Sequence, residues 1–578
     1  MRKTKWQRAG AAVLAACLMA ASLAACGGSS SSSGASGTEA AATTSAAGES
    51  AASAETTAPA TITTADTEIP AGESVSQDSD LTCATYVDFT TMDPMDTSDT
   101  MSGGIQRLIM DGLFGFDDEM KLIQMLATGY TANDDATEFT VTLRQGISFS
   151  DGTPFNADAV IANANRWMDK DLGLKRTTFL CNTLASCDKV DDNTVKFTLS
   201  SPFGAFINSL AHPATLLMSP KTIEAGLDAC ASAPVGTGQY TFREWTQGDH
   251  LTVDLKKDWW GYTEKMDDGN TLVASDAGFK TITFKPVKEG ATRAAMLQSG
   301  DAQVIWDIPA ESLSTLQADP NVNVNTQEGL VTYWLMMNTQ KTPYTDVKVR
   351  QAMNYAIDKE AFIKICYNGL GTPATSMMGK QTQFYKGNDP YPYDPEKAKE
   401  LLKEAGLENG FTTLFMYRNS STNQKVAEFL KQQLEQVGIT VELKAMESAV
   451  LNQTVQDCDK PGSEADVELY YSGWSSSTGD ADWGLRPMLA KESEPPMSYN
   501  ISYYENDEVD QLLKDALATA DTDKRAEDYA KIQDTIWEDC PCVWLFHLYN
   551  TLGTSKKVAG IKMFPDNAIN IRNGRMAK

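Results

Sequence analysis

The N-terminal part of the chain constrains the fold most, because it cannot contribute to a packed core. Four basic residues, Arg2, Lys3, Lys5 and Arg8, precede an uncharged run rich in Ala and Leu from Ala9 to Ala25. This pattern is typical of a secretory signal. The run is too short and too rich in Ala for a comfortable membrane-spanning helix. We therefore predict that residues 1–26 are a targeting segment and not part of the fold.

The next segment, residues 27–79, consists of Ser, Ala, Thr and Gly with scattered acids, and it contains no Lys, Arg or aromatic residue. Such a composition cannot bury enough apolar surface to offset chain entropy. We predict a disordered linker. About 500 residues remain, which is long enough for two or three packed domains.

Small residues precede Cys26 in Leu23-Ala-Ala-Cys26. This segment resembles the lipobox of bacterial lipoproteins, and the resemblance implies that Cys26 is diacylated. Two acyl chains would anchor the protein firmly to the cell membrane, on the extracytoplasmic side. Cys17, in Leu14-Ala-Ala-Cys17, is the alternative lipidation site. A second alternative is an ordinary cleaved signal without lipidation.

The charge of the chain excludes several partners. The formal net charge is −28, and loss of the four basic residues of the signal would shift it to −32. Such a chain repels nucleic acid and anionic lipid surfaces. Eight cysteines follow Cys26 at irregular spacing, unlike a small disulfide scaffold. Free thiols and bridges both stay open, with Cys181–Cys187 as the most plausible local pair.

Hydrophobic periodicity predicts α/β architecture. The predicted strands are Phe139–Leu143, Thr194–Leu199 and Ile439–Leu443, and the predicted helices are Asn156–Met168, Val347–Ile365, Asp394–Glu404 and Asn423–Val437. Residues 412–443 read as strand, helix and strand, which is a parallel crossover.

No catalytic set is visible in the sequence. There are three histidines, His212, His250 and His547, and no nucleophile elbow, phosphate loop or zinc-protease motif. The segment Cys540-Pro-Cys542 with His547 has metal-like residue types, but its spacing matches no common zinc pattern, so we interpret it as structural. We expect no cofactor, no metal and no enzymatic activity.

Four motifs occur in order along the chain: Phe149–Asp158 (FSDGTPFNAD), Ala233–Tyr240 (APVGTGQY), Val349–Asp358 (VRQAMNYAID) and Gly473-Trp474 followed by acids. They resemble the signatures of the large peptide-binding proteins of ABC importers. The resemblance implies a peptide-like ligand and an importer made of a permease and an ATPase.

Further segments resemble the glutathione-binding branch of that family, most clearly Gly473–Trp483 (GWSSSTGDADW). Family members that bind free-amine peptides place an acid three residues after the Trp, where this chain has Ser477. One departure is Tyr333-Trp334, where the branch has an Arg-Tyr pair. Glutathione is the leading ligand. Other peptides, nickel chelates, haem and oligosaccharides remain alternatives, as does an enzyme or sensor that reuses the fold.

The resemblance implies a two-lobe, periplasmic-binding-protein-like α/β fold that closes by hinge bending. We expect one lobe at residues 80–334, a second at 335–549 and a return to the first lobe at 550–578. Crossing strands are expected near Val331–Met337 and Val543–Leu548. Both are aromatic and apolar, as strands buried on two faces should be.

Candidate ligand-binding residues follow from this resemblance and from their chemistry, since a closed cleft needs a partner for each buried ligand charge. Each has a structural alternative, such as core packing, helix capping or a surface position. The candidates are an aromatic floor and stack (Trp474, Tyr333, Trp334), hydroxyl donors (Ser477, Thr478), partners for an ammonium group (Asp480, Asp482), partners for carboxylates (Arg176, Arg166) and a loop histidine (His212). Arg350 is expected to be structural, paired with Asp358 or a helix end.

Overall fold

The structure is a computed structural model that describes residues 75–97, 99–177, 181–266 and 269–577. The predicted signal, the lipidation site Cys26, its alternative Cys17 and almost all of the predicted linker lie outside the described residues.

Strands occur along the whole described chain. They are β1 Asp80–Thr85, β2 Phe114–Phe116, β3 Leu122–Gln124, β4 Ala127–Ala132, β5 Glu138–Leu143, β6 Leu184–Asp191, β7 Thr194–Leu199, β8 Tyr240–Thr246, β9 His250–Leu255, β10 Thr281–Pro286, β11 Val304–Trp306, β12 Val322–Met337, β13 Gly371–Pro373, β14 Phe411–Arg418, β15 Ile439–Met446, β16 Leu469–Ser475, β17 Cys542–Ser555, β18 Val558–Ala559, β19 Lys562–Met563, β20 Ile569–Asn570 and β21 Arg575–Met576.

Helices alternate with these strands. They are α1 Thr100–Ile109, α2 Ala157–Met168, α3 Phe206–Ala211, α4 Pro220–Glu224, α5 Leu227–Ser232, α6 Gly290–Ser299, α7 Leu313–Gln317, α8 Val347–Tyr355, α9 Lys359–Tyr367, α10 Pro395–Glu404, α11 Ser421–Glu435, α12 Ser448–Val455, α13 Ala481–Leu489, α14 Asp507–Leu517 and α15 Thr522–Asp539. Short 3-10 turns lie at Pro94–Asp96, Lys170–Leu172, Pro213–Thr215, Trp260–Tyr262, Ala310–Ser312 and Lys491–Ser493.

One large mixed sheet runs through the molecule in the order β15-β14-β16-β12-β17-β11-β1-β10-β9-β8, and β13 pairs with β17. The two long central strands, β12 and β17, pair antiparallel with each other. They contain the segments predicted to cross between lobes. A second sheet, β4-β5-β7-β6, lies in the part of the chain before β12.

The hydrophobic cores divide at these crossing strands. Two clusters of buried residues draw only on residues 333–548. The other clusters draw on residues up to Leu330 and after Leu548, apart from Leu370 in the smallest cluster and Ala520, which packs against the largest. The fold is thus two-lobed α/β, as predicted. The exact lobe boundaries at residues 334, 335, 549 and 550 stay a proposal.

Local sequence signals explain several elements. Helix α2 begins after Asn156, whose side chain accepts a hydrogen bond from the Ala159 amide at 3.1 Å. Helix α10 begins after the Asp394 cap with Pro395 at its first position. Strands β14 and β15 pair in parallel around helix α11, which confirms the predicted crossover.

The single helix predicted at Val347–Ile365 is wrong, because it is two helices, α8 and α9. The break occurs at Asp358, whose carboxylate caps α9 by accepting from the Ala361 amide at 2.9 Å. Arg350 is structural, as expected. It donates to the carbonyl of Asp539 at the end of α15 at 2.8 Å, so of the two predicted partners the helix end is the one it contacts.

The cysteines are buried free thiols. This holds for all eight in the described residues and corrects the suggested Cys181–Cys187 pair. Cys187 lies on β6, opposite Phe197 of β7, and its side chain packs into the apolar core of the first lobe. The Cys540-Pro-Cys542 segment is a helix end and strand start: Cys540 caps α15 and Cys542 opens β17.

Candidate functional site

A cavity of about 920 Å³ lies where residues from both sides of the crossing strands meet. Its first wall comes from the chain before β12 and from Asp566 and Ala568 near the C-terminus, and its second wall comes from residues 473–517. The crossing strand β12 closes one side with Val331 and Tyr333. The volume is near the upper end of the range of roughly 300–1,000 Å³ that is typical of small-molecule sites.

The first wall carries three cations, Arg107, Lys175 and Arg176. The Nε of Arg176 donates to the carbonyl of Thr97 at 2.8 Å, which fixes the direction of the side chain. Burial lowers the pKa of the Arg176 guanidinium. An anion in the cavity would offset this desolvation. Arg176 is therefore placed to bind a carboxylate with its planar fork.

The first wall of the cavity also carries two carboxylates, those of Asp99 and Asp566. Asp99 caps helix α1 by accepting from the Ser102 amide at 2.7 Å. Asp566 accepts from Arg107 at 2.6 Å. Cations therefore exceed acids on the cavity wall by three to two, and by four to two with Arg486 of the second wall, although the chain as a whole carries −28.

His212 lies on the first wall as a neutral imidazole. Its Nδ1 accepts a hydrogen bond from the Ala214 amide at 3.1 Å, which assigns the ring proton to Nε2. Burial, and then the charges of Arg176 and Arg107, hold the pKa of His212 well below its usual value. His212 therefore contributes a neutral donor at physiological pH.

The second wall is aromatic. Trp474 lines the cavity, and its ring lies 5.2 Å from the ring of Trp483 and 4.9 Å from that of Tyr499, between centroids. The Nε1 of Trp474 donates to the carbonyl of Trp483 at 2.7 Å, which fixes the indole as a floor. Ser477 lines the cavity nearby.

Tyr333 lines the cavity at the crossing strand. Its ring stacks between those of Tyr471 and Phe546, at 5.4 and 5.1 Å between centroids. In the sheet Tyr333 lies opposite Gly473, and a Cβ at Gly473 would lie 2.7 Å from the tyrosine ring. The glycine of the Gly-Trp motif therefore makes room for Tyr333 in its register position.

Arg486 is the cation of the second wall, and sequence reasoning missed it. Asp482, one turn earlier on α13, accepts two hydrogen bonds from Arg486, each at 2.8 Å. This carboxylate raises the pKa of Arg486. The Asp482 side chain is 3% exposed, whereas that of Arg486 is 26% exposed, so the arginine and not the acid meets the cavity.

Asp480 is fully buried and also lies away from the cavity. It caps helix α13 and pairs with Arg525, which donates to its two oxygens at 2.8 and 3.0 Å. Burial raises the pKa of Asp480, and Arg525 opposes that rise. The expectation that Asp480 or Asp482 takes a ligand ammonium is therefore corrected: each already neutralises an arginine of the protein.

Three further candidates do not line the cavity. Arg166 forms a buried ion pair with Asp93. Trp334 is fully buried in the core of the second lobe. Thr478 is buried, and its hydroxyl oxygen accepts a hydrogen bond from the Asp480 amide at 3.4 Å, just before helix α13. This position is close to the helix-capping role that was the structural alternative for Thr478. Instead of contacting a ligand, these residues form an ion pair, pack in the core and lie at a helix start.

The structure thus brings Arg176, His212, Tyr333, Trp474 and Ser477 to one cavity. It adds residues that the sequence reasoning passed over, namely Asp99, Arg107, Lys175, Arg486, Tyr499 and Asp566. Two of these carried a signal: Lys175 is adjacent to Arg176, and Arg486 follows Asp482 at the helical spacing that pairs charges. Tyr499 lies in an irregular loop and had none.

A two-lobed α/β protein with a polar cavity at the crossing strands has the architecture of a solute-binding protein. Residues 121–495 match the family model described as bacterial extracellular solute-binding proteins, family 5 middle. The chain belongs to this family, whose members are the binding components of ABC importers, and the resemblance to the large peptide-binding proteins is confirmed.

The chain is similar to named relatives over most of its length. It is 40% identical to the glutathione-binding protein GsiB of Escherichia coli (strain K12) over 496 residues, which cover 86% of this chain and 94% of the relative. GsiB of Salmonella typhi is also 40% identical, over 84% of this chain and 92% of the relative. These relatives are binding proteins, which fits the expectation that this chain is not an enzyme.

Solved structures share the fold. HbpA2 from Haemophilus parasuis superposes with a TM-score of 0.76 at 25% identity, over 86% of this chain and 100% of that one. DppA from Helicobacter pylori, in complex with the peptide STSA, superposes with a TM-score of 0.68 at 26% identity, over 87% and 99%. Among the residues that the structure describes, no helix has the length and apolar character needed to cross a membrane.

Proposed function

We propose that this protein captures glutathione, or a similar short peptide with more than one carboxylate, and delivers it to the permease of an ABC importer. The observation that carries the proposal is the charge of the cavity wall. Four cations, Arg107, Lys175, Arg176 and Arg486, line the cavity together with only two acids, Asp99 and Asp566, inside a chain of net charge −28, since the acids that pair with Arg486 and Lys175 do not line it. A cavity of this kind favours an anionic ligand.

The cations come from both walls, which suits a ligand with carboxylates at separate ends. Arg176 on the first wall and Arg486 on the second are the arginines we assign to two carboxylates. Each bond between a guanidinium and a carboxylate contributes about 1.5–3 kcal/mol. A ligand that contacts both would stabilise the closed form, because each lobe then interacts with the same molecule.

Glutathione carries an ammonium group as well as two carboxylates. Ser477 occupies the position where free-amine peptide binders of the family place an acid, and Asp480 and Asp482 are already paired with arginines. We therefore assign the ammonium to the first wall, where the Asp99 carboxylate reaches the cavity. Trp474 would form the floor under the peptide groups, and Ser477 and His212 would donate hydrogen bonds.

The relatives support glutathione as the first ligand to test, because the GsiB proteins named as glutathione-binding are 40% identical to this chain. We further propose that the mature protein is lipid-anchored through Cys26 and works at the outer face of the cell membrane. The basic start, the apolar run and the small residues before Cys26 support this. Exchange of Cys26 for Ala should release the protein into the medium. Release by Cys17→Ala instead would move the anchor to Cys17.

Isothermal titration calorimetry tests the ligand. We would titrate reduced glutathione, oxidised glutathione and a panel of plain dipeptides into the purified mature protein. We expect heat and a single site with glutathione and weaker binding of plain dipeptides. Tight binding of plain dipeptides without heat from either form of glutathione would contradict the glutathione proposal and leave a general peptide binder.

A further inference from the structure

The two lobes contact each other directly at one rim of the cavity, through the loop that follows Phe203. The backbone N–H of Gly204, in the first lobe, donates to the carbonyl of Leu517 at 2.8 Å. Leu517 is the last residue of helix α14 in the second lobe. This carbonyl is one of the groups that a helix leaves without an internal partner at its C-terminal end. The first lobe thus caps a helix of the second.

Only glycine fits at this contact. A Cβ on Gly204 would lie 2.2 Å from the carbonyl oxygen of Thr519, 3.1 Å from Nε of Arg525 and 3.3 Å from the carbonyl oxygen of Ala516. All three atoms belong to the second lobe, and two of them are backbone atoms. A side chain of any size therefore cannot be accommodated unless the two lobes move apart.

The residue next to Leu517, Ala516, begins a set of hydrogen bonds that leads to the cavity. Arg525 donates through Nε to the carbonyl of Ala516 at 3.0 Å and holds Asp480 with its two terminal nitrogens. Asp480 accepts from the Asp482 amide at 2.9 Å at the start of α13. Asp482 in turn holds Arg486, which lines the cavity.

We propose that Gly204 is an interlobe latch and a positioning residue for ligand retention. When the lobes close, its amide caps α14, and the space that a Cβ would occupy is filled by Thr519 and Arg525. The Arg525–Asp480 pair, which lies within the second lobe, holds the start of α13 and with it Arg486 at the cavity. The latch acts on closure and not on the chemistry of the ligand, so it goes beyond the proposed function and does not depend on which peptide binds.

The latch predicts a particular kinetic pattern for Gly204→Ala. The substitution should weaken binding of glutathione about tenfold, which corresponds to loss of one interlobe hydrogen bond and of close approach. The loss should appear in a faster dissociation rate and not in a slower association rate, because encounter occurs with the open form, which the substitution does not disfavour. The matched control is Gly129→Ala on β4, where a Cβ meets no atom within 4 Å.

Small-angle scattering tests closure both in the ligand-free protein and with ligand. We would compare the mature wild type, Gly204→Ala and Gly129→Ala, each alone and with saturating reduced glutathione, after checking cooperative unfolding by circular dichroism. Gly204→Ala should have the larger radius of gyration, and Gly129→Ala should match the wild type. If reduced glutathione fails to bind the wild type, the proposed function fails while the ligand-free comparison still tests the latch.

Hydrogen exchange on the unmodified protein gives a second readout that needs no variant. The segment that contains Gly204 should be protected in the closed protein and should exchange faster in any population that scattering shows to be open. Equal radii for Gly204→Ala and wild type in every condition, or exchange at Gly204 as fast as in an exposed loop, would overturn the latch.

Discussion

The two walls of the cavity use charge in different ways. On the first wall Arg176 is directed by a backbone carbonyl, that of Thr97, and reaches the cavity from a loop. On the second wall Arg486 is directed by a buried carboxylate, Asp482, and the adjacent Asp480 holds Arg525. We infer that changes on the second wall act partly through stability, whereas changes on the first act mainly through ligand affinity.

The largest effect is expected at the buried pair behind the second wall. Asp480→Ala leaves Arg525 as a buried charge without its carboxylate, and such a loss typically costs about 3–5 kcal/mol. Chemical denaturation should show a lower midpoint. The exposed Asp457, changed to Ala, is the control and should change stability little. If Asp480→Ala keeps the stability of the wild type but loses ligand binding, Asp480 contacts the ligand after all, and the structural role given to it here is wrong.

The next effect is expected at Arg176, with the opposite signature. Arg176→Gln should weaken glutathione binding about 10- to 100-fold, because a charge-assisted bond to a carboxylate is lost. The free energy of unfolding should change little. Lys425→Gln, an exposed cation outside the cavity, is the control. Calorimetry gives the affinity, and equal affinities of Arg176→Gln and Lys425→Gln would remove Arg176 from the site.

These two predictions also show what sequence reasoning could and could not provide. The family motifs identified the fold because they mark structural positions: Asn156 caps α2, and Gly473 makes room for Tyr333. The site was predicted only in part. Residue type alone could not tell Arg166 from Arg176, since the difference is a buried partner, Asp93, that lies far away in sequence. The roles of Asp480 and Asp482 depended likewise on Arg525 and Arg486.

A smaller effect is expected at Asp482, which can both orient the Arg486 side chain and neutralise its charge. Asp482→Asn keeps the size of the side chain and still accepts one hydrogen bond from Arg486, but it removes the carboxylate. We expect glutathione affinity to change by less than about tenfold. The direction of the change shows whether Asp482 mainly competes with the ligand for Arg486 or mainly orients Arg486. A gain would mean that Asp482 competes with the ligand for Arg486, and a loss would mean that it orients Arg486. An effect as large as that of Asp480→Ala on stability would contradict the distinction between the two acids.

The smallest effect concerns the loop that carries Tyr499 to the second wall. Burial, and then Glu505, raise the pKa of Glu494 to about 7. The amide of Gln340 donates to both carboxyl groups, at 3.2 and 3.1 Å, while Lys491 pairs with Glu505 and Asp510 lies nearby.

Because the folded pKa of Glu494 is above the unfolded value, the folded state binds more protons between about pH 4.5 and 7. Stability should therefore fall as pH rises through this window and level off above it. Since Glu494 is partly exposed, we expect a change below about 1 kcal/mol. Glu494→Gln should flatten the dependence in urea titrations at several pH values. An unchanged profile would show that Glu494 does not titrate there.

The central claim is that arginines on opposite walls hold separate carboxylates of one ligand. A cycle of ligand and protein changes tests it directly: glutathione and its ester at the glycine carboxylate are titrated by calorimetry into wild type, Arg176→Gln and Arg486→Gln. We predict that the ester binds wild type more weakly than glutathione does, and that one of the two variants no longer distinguishes the two ligands while the other still does. Equal binding of ester and glutathione to all three proteins would contradict the account.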